Sequence, residues 1–128
     1  LKNYKGTIEE GDIIWLSDPY SVEGAISHLN DWLVIMPVFK DGKLVAWTCH
    51  FGHQTDVGGK VPGSLPTDAT SIFQEGIRIP PVKLYRKGVL NEDLLELVLN
   101  NTRTRDWCRS DLNAIIASCR IAARRIVE

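Results

Sequence analysis

Short apolar runs separated by turn signals fill the first part of the chain and predict a β-rich N-terminal half. Residues 11–16 form one such run, which a Ser-Asp-Pro-Tyr turn closes. Two longer runs, residues 33–39 and 43–49, flank Asp41-Gly42. Asp-Gly between β-formers is a strong hairpin signal, because both turn positions need a positive φ. The pattern therefore predicts a β-hairpin whose turn is Asp41-Gly42.

The pattern changes in the second part of the chain. Residues 52–81 are rich in Gly, Pro, Thr and Asp and lack periodicity, which predicts a long loop. Asn91 precedes an acidic first turn and predicts a helix over residues 92–100. Ser110 predicts the start of a second helix, whose apolar stripe comprises Leu112, Ile115, Ile116, Cys119, Ala123 and Ile126. The expected fold class is α+β, with the long loop between the β-rich half and two C-terminal helices.

Composition and charge narrow the functional classes. The 128 residues are 44% hydrophobic and 24% charged, as in a globular domain. This length predicts a single domain, and the missing initiator Met suggests a fragment of a larger one. Fifteen basic and 16 acidic residues leave a net charge of -1, which argues against a nucleic-acid partner. The longest apolar run, residues 33–39, is too short to cross a membrane.

Cysteine usage points to a reducing compartment. The three cysteines, Cys49, Cys108 and Cys119, cannot all pair within the chain, and none forms a Cys-x-x-Cys motif. We expect reduced thiols in a cytoplasmic protein, with Cys49 buried in its strand.

The hairpin register gathers two histidines that are distant in sequence. A two-residue turn pairs Lys40 with Lys43, so that paired residue numbers sum to 83. His28 and His53 then lie on one face of the ladder as diagonal neighbours. Asp31 falls on the opposite face in an ideal ladder, and a bulge or bend between His28 and Asp31 would bring all three side chains together. Asp31 with His50 is an alternative pair on that opposite face.

Two imidazoles and one carboxylate suit a first-row divalent ion with open positions for water or substrate. His28, Asp31 and His53 are therefore candidate metal ligands. The alternative is a pair of surface histidines at a strand end, hydrogen-bonded to backbone or water. Asp56 follows His53 by three residues and is a candidate general base, or a carboxylate that orients a ligand imidazole. Its alternative interpretation is an Asx-turn before Gly58-Gly59.

Several segments taken together resemble one known family. Residues 52–64 and 72–84 resemble the hydantoinase B/oxoprolinase family, and residues 27–31 and 91–93 continue the likeness. Residues 17–20 read Ser-Asp-Pro-Tyr, where the family usually has Asn-Asp-Pro-Tyr. The resemblance runs through most of the chain. Because family members are considerably longer, it also implies a fragment or trimmed domain.

The resemblance implies a chemistry. The family includes ATP-dependent hydantoin-opening enzymes, 5-oxoprolinases, and acetone and acetophenone carboxylases. A hydantoinase A-type subunit or domain uses ATP and Mg²⁺ to phosphorylate the substrate, and the B-type part completes hydrolysis or carboxylation. The B-like subunit of the acetone carboxylases carries a manganese site with a His-x-x-Asp pattern and a later His, which His28, Asp31 and His53 match. Acetone carboxylases lack the segment that residues 59–68 form here, so this chain is not expected to be one of them.

These observations predict the B-type catalytic part of an ATP-dependent cyclic-amide hydrolase of the hydantoinase/5-oxoprolinase type. The expected cofactor is Mn, Zn or Fe on the two histidines and Asp31, with ATP and Mg²⁺ on a partner in a hetero-oligomer. One alternative is a subunit of an ATP-dependent ketone carboxylase, and another is a non-catalytic assembly module.

Overall fold

The computed structural model describes residues 2–128. The elements are Ile13–Leu16 (β1), Asp31–Lys40 (β2), Lys43–His53 (β3), Val82–Arg86 (β4), Val89–Leu90 (β5), Glu92–Leu99 (α1) and Arg105–Val127 (α2). The strands form one antiparallel sheet in the order β3-β2-β1-β4-β5. The predicted α+β class is confirmed, with its hairpin and its two C-terminal helices. Within residues 2–128, no helix has both the length and the apolar character needed to cross a bilayer.

The β2–β3 hairpin carries a one-residue bulge. Asp41 and Gly42 adopt φ values of 52° and 74°, as the predicted turn requires. Lys40 pairs with Lys43 as predicted, but the register shifts between Val38 and Phe39. Beyond that point paired residue numbers sum to 84, because β3 contains one unpaired residue. The uniform register expected from the turn is therefore wrong for most of the hairpin.

The helix α2 covers one face of the sheet. Thr48 Oγ1 donates to the Cys119 carbonyl at 3.2 Å, which joins β3 to α2. The rings of Trp15 and Trp32 meet edge to face with centroids 4.7 Å apart in this layer. A smaller apolar cluster lies outside this core and contains Ile14, Leu16 and Ile26. The sheet thus has one face packed on α2 and one face with thinner cover.

The two helices correct several boundaries. Asn91 caps α1 as predicted, because its side chain accepts from the Leu94 N–H. The predicted start of the second helix at Ser110 is wrong, since α2 begins at Arg105. The longer helix buries Cys108, which extends the predicted stripe by one turn toward the N-terminus. At the other end Ile126 is half exposed.

Cys49 also differs from expectation. Cys49 is exposed, whereas Cys108 and Cys119 are buried. Its neighbour Thr48 faces α2, so the side chain of Cys49 projects from the opposite face of the edge strand β3.

Gly59 lets two segments of the long loop pass close to each other at Gln74. Gly59 has φ +79°, and a Cβ there would lie 2.5 Å from the Gln74 carbonyl oxygen. Gly63 has φ +82°, but a Cβ there would meet nothing within 4 Å. We expect Gly59→Ala to lower the unfolding free energy by at least about 2 kcal/mol. Gly63→Ala should cost only about 1 kcal/mol, because it adds backbone strain without a clash. Thermal unfolding of the two variants in the complete protein checks this, and equal losses would contradict it.

Candidate metal centre

His28, Asp31 and His53 form a cluster at the open end of the hairpin. His28 Nε2 lies 3.1 Å from Asp31 Oδ2, and His53 Nδ1 lies 3.2 Å from Asp31 Oδ1. The two imidazole centroids are 5.0 Å apart. Each residue offers one ligand atom, and these atoms all lie within 4.8 Å of one another. Three side chains of metal-ligating type therefore converge on a space the size of one ion.

The bulge in β3 brings the carboxylate onto the face of the histidines. Asp31, the first residue of β2, lies directly opposite His53, the last residue of β3. Directly opposed residues project from the same face of a sheet. His28 reaches the same carboxylate because the chain turns just before β2, where the Asp31 N–H donates to the His28 carbonyl at 3.1 Å. His50 instead pairs with Val34, so the alternative pairing of Asp31 with His50 is not formed.

The cluster is closed around its carboxylate and open at one imidazole. The side chain of Asp31 is 11% exposed, while that of His53 is 50% exposed. Ser27 Oγ donates to Asp31 Oδ2 at 3.4 Å and adds a further contact on the closed side. Catalytic metal sites keep a position open for water or substrate, whereas structural sites are closed. The cluster is accessible to solvent at His53.

The donor set fits a divalent first-row ion. Two neutral imidazoles and one carboxylate are ligands that Mn, Fe and Zn accept. The distances to Asp31 also suit hydrogen bonds from neutral histidines, so the same geometry serves with or without an ion. The second ring nitrogen of His28, Nδ1, is buried and has no hydrogen-bond partner within residues 2–128. Hydrogen bonding among the described residues thus does not account for the burial of this ring.

Asp56 lies in a separate network from the histidines. It is 2% exposed, and its carboxylate accepts from the backbone N–H groups of Gly58, Gly63 and Arg103 at 2.9, 2.9 and 3.1 Å. The Arg103 guanidinium donates to both of its oxygens. Within residues 2–128 Asp56 makes no hydrogen bond to the cluster. The Gly58 contact is the Asx-turn of the alternative interpretation.

The environment of Asp56 favours its ionised form. Burial alone would raise the pKa of the Asp56 carboxyl. The three backbone N–H donors and the Arg103 guanidinium outweigh that effect and hold its pKa below the ordinary value. A carboxylate with a lowered pKa and fully engaged oxygens is a weak proton acceptor.

Comparison with known proteins identifies the family to which the chain belongs. A family profile described as hydantoinase B/oxoprolinase matches residues 1–128. The chain belongs to this family. The resemblance noted from short segments is therefore confirmed over the whole chain.

Two relatives and one solved structure illustrate the likeness within the hydantoinase B/oxoprolinase family. Caprolactamase subunit beta from Pseudomonas jessenii is 44% identical over 121 residues, which are 94% of this chain and 20% of the relative. The acetophenone carboxylase delta subunit from Aromatoleum aromaticum is 35% identical over 129 residues, which are 100% of this chain and 18% of the relative. The crystal structure of ATP-dependent caprolactamase from Pseudomonas jessenii superposes with a TM-score of 0.90 at 41% identity, over 98% of this chain and 21% of that one. The chain thus spans about a fifth of the length of these relatives.

In this hydantoinase B/oxoprolinase chain two buried amides support the cluster, and sequence reasoning missed both. Asn30 and Gln54 flank the candidate ligands Asp31 and His53 and are almost completely buried. The Gln54 N–H donates to the Asn30 carbonyl at 2.7 Å, and Asn30 Nδ2 donates back to the Gln54 carbonyl at 2.9 Å. These bonds extend the pairing of β2 with β3 by one position beyond the Asp31–His53 pair. The sequence signal that could have revealed them is the polar residue beside each candidate ligand, Asn30 before Asp31 and Gln54 after His53.

Proposed function

We propose that this chain is the B-type catalytic part of an ATP-dependent cyclic-amide hydrolase, in which His28, Asp31 and His53 hold a divalent ion. The observation that carries the proposal is the convergence of these three side chains on one partly open site. The similarity to caprolactamase subunit beta supports a cyclic-amide substrate. Mn, Zn and Fe are the candidate ions, because each accepts this donor set.

When bound, such an ion would polarise a carbonyl or acyl-phosphate oxygen and acidify a water molecule. The chain's own residues would hold the ion and leave access for the substrate. Asp31 provides a negative charge in a nearly closed position, and His28 and Ser27 fix its orientation. His53 presents a half-exposed edge at which substrate can approach.

Our proposal gives Asp56 a positioning role. Its predicted role as a base would need a free oxygen near the reacting atoms, and both of its oxygens already accept hydrogen bonds. Asp56 instead joins the glycine-rich loop to Arg103, which lies between α1 and α2. We propose that this contact holds the loop that follows His53 in place.

The proposed partner is a hydantoinase A-type subunit or domain that binds ATP and Mg²⁺ in a cytoplasmic hetero-oligomer. The relatives that are named as subunits, of caprolactamase and acetophenone carboxylase, support an assembly of this kind. The similar caprolactamase is described as ATP-dependent, which supports ATP as the energy source of the proposed reaction.

Metal content is the direct test. We expect the complete protein to contain near-stoichiometric Mn, Zn or Fe by elemental analysis, and the His28→Ala/His53→Ala variant to lose it. His50→Ala is the matched control, because His50 lies on the same strand but projects away from the cluster. Absence of metal from folded wild-type protein would contradict the metal site and favour an assembly module.

A ketone carboxylase is the second candidate function. The 35% identity to the acetophenone carboxylase delta subunit over the whole chain favours it. Bicarbonate-dependent ATP turnover with a ketone would support the carboxylase, and lactam-dependent turnover without bicarbonate would support the hydrolase.

A further inference from the structure

The two edge strands of the sheet, β3 and β5, differ in how they are protected against pairing with another strand. β5 spans only Val89–Leu90, and a very short edge strand is one protective device. β3 has 11 residues, and two further devices, Lys43 and the bulge at Val45, lie at its start. Residues 46–53, which read Ala-Trp-Thr-Cys-His-Phe-Gly-His, contain no Lys, Arg, Asp, Glu or Pro. This part of the edge therefore has neither charge nor proline to prevent pairing.

Alternate residues of this segment direct their backbone N–H and C=O groups away from β2. Hydrogen-bonded and non-hydrogen-bonded pairs alternate along an antiparallel ladder. The Gln54 N–H donates to the Asn30 carbonyl at 2.7 Å, so this pair is hydrogen-bonded and the neighbouring Asp31–His53 pair is not. Since the register from there back to residue 46 is regular, every second residue of β3 has outward backbone groups. These outward residues are Trp47, Cys49, Phe51 and His53.

The side chains of the outward residues lie on the sheet face that carries the cluster. Thr48 faces α2, so its neighbours Trp47 and Cys49 project from the other face. Trp47 is 42% and Phe51 is 58% exposed, and Cys49 is also exposed. A regular edge with large apolar side chains on one face is a template for a further strand, whose own side chains would cover them.

We propose that residues 46–53 pair with an apolar β-strand from the remainder of a longer polypeptide, of which this chain is a part. The chain spans about a fifth of the length of the relatives compared above, which supports a source outside residues 1–128. A strand of the same polypeptide covers the edge as the protein folds. An edge that waited for a separate molecule would be exposed to aggregation until that molecule arrived.

The added strand would border the candidate metal centre. Residues directly opposite each other on neighbouring strands project from the same face, with Cβ atoms about 4.5–5.5 Å apart. The residue opposite His53 would therefore lie beside its half-exposed imidazole and form one wall of the site. This consequence rests on the proposed function, whereas the pairing of the edge does not.

Hydrogen exchange of the complete protein, resolved to single amides, tests the pairing. The amides of Thr48 and His50 face β2 and serve as internal references. We expect the amides of Trp47, Cys49 and Phe51 to exchange within about tenfold of these references, and at least about 100-fold more slowly than unpaired amides. Fast exchange at Trp47, Cys49 and Phe51, with Thr48 and His50 protected, would overturn the proposal.

Photo-cross-linking tests the source of the strand. p-Benzoyl-L-phenylalanine placed at position 51 and, in a separate variant, at position 47 should cross-link to one segment of the same polypeptide outside residues 1–128. The same probe at Trp107, which is exposed on α2, should not label that segment. A cross-link to the ATP-using partner would overturn the proposed source. So would a cross-link to a second copy, which mixing of ¹⁵N-labelled and unlabelled protein identifies by mass.

The failure of this proposal is distinguishable from that of the proposed function. Protection of the edge amides does not depend on an ion. Absence of metal from the complete protein, with Trp47, Cys49 and Phe51 protected, would overturn the metal site and support the pairing. Stoichiometric metal with those amides unprotected would overturn the pairing and support the metal site.

Discussion

His53→Ala in the complete enzyme should lower lactam-dependent ATP turnover about 10²–10³-fold, while the protein stays folded. Charge stabilisation by a bound ion supplies several kcal/mol to a hydrolytic transition state, and each 1.4 kcal/mol changes the rate about tenfold. His53 is one of three candidate ligands, and its half-exposed side chain leaves no large cavity when it is removed. The measurement is kcat at saturating lactam by release of ADP, with circular dichroism on the same sample.

His50→Ala controls for the loss of a histidine from this strand. His50 is exposed and lies opposite Val34 rather than Asp31. Its replacement should leave kcat within about twofold of the wild-type value. Full activity in folded His53→Ala would contradict the metal-assisted mechanism, and equal losses in both variants would show that the effect is not specific to the cluster.

The sequence carried the information for the hairpin and for the neighbourhood of its histidines. Asp41-Gly42 predicts the turn from local conformational preference, and any regular pairing from that turn brings His28 beside His53. The capping side chain Asn91 likewise specifies the start of α1 through one local hydrogen bond. Features that depend on neighbours in sequence were therefore predictable.

The face occupied by Asp31 was not predictable in this way. A shift of one residue moves every side chain of a strand relative to its partners. Val45 is the residue left without a partner between the Phe39–Leu44 and Val38–Ala46 pairs, and nothing in the local sequence marks it as a bulge. The bulge moves the partner of Asp31 from Gly52 to His53 and so decides the face on which the carboxylate lies.

Long-range contacts explain the wrong helix start and the contacts of Asp56, neither of which local sequence encodes. The predicted start of the second helix at Ser110 ignored Cys108, which is buried and whose Sγ lies 3.3 Å from the Asp56 carbonyl. Asp56 and Arg103 are 47 residues apart, so no spacing rule joins them. The three-residue separation of Asp56 from His53 suggested shared chemistry; Asp56 contacts Arg103 in the structure, and its catalytic role stays a prediction.

Arg103→Ala should therefore destabilise the loop after His53. Arg103 donates to Asp56 and to the carbonyls of Gly58, Gly59 and Val61. Its removal leaves the Asp56 carboxylate, only 3% exposed, without a charged partner. Loss of one partner of a buried pair costs about 3–5 kcal/mol, and we expect about 3 kcal/mol because Arg103 is itself 42% exposed. Amide exchange at Val57, Gly58 and Gly63 should then be about 100-fold faster by hydrogen–deuterium exchange mass spectrometry.

The pH dependence gives this prediction a second readout. The pKa of Asp56 is lowered in the folded protein, so its ionised form contributes stability above the unfolded pKa of about 3.9. That contribution is lost as the pH falls through the folded pKa. Arg103→Ala removes one cause of the lowering, so the acid-induced loss of loop protection should be smaller than in the wild type and complete at a higher pH. Arg105→Ala is the matched control, since Arg105 pairs with the exposed Glu96 and its loss should leave exchange in the loop almost unchanged. Wild-type exchange rates in Arg103→Ala would contradict the positioning role of Asp56, because the loop would then hold its place without the pair.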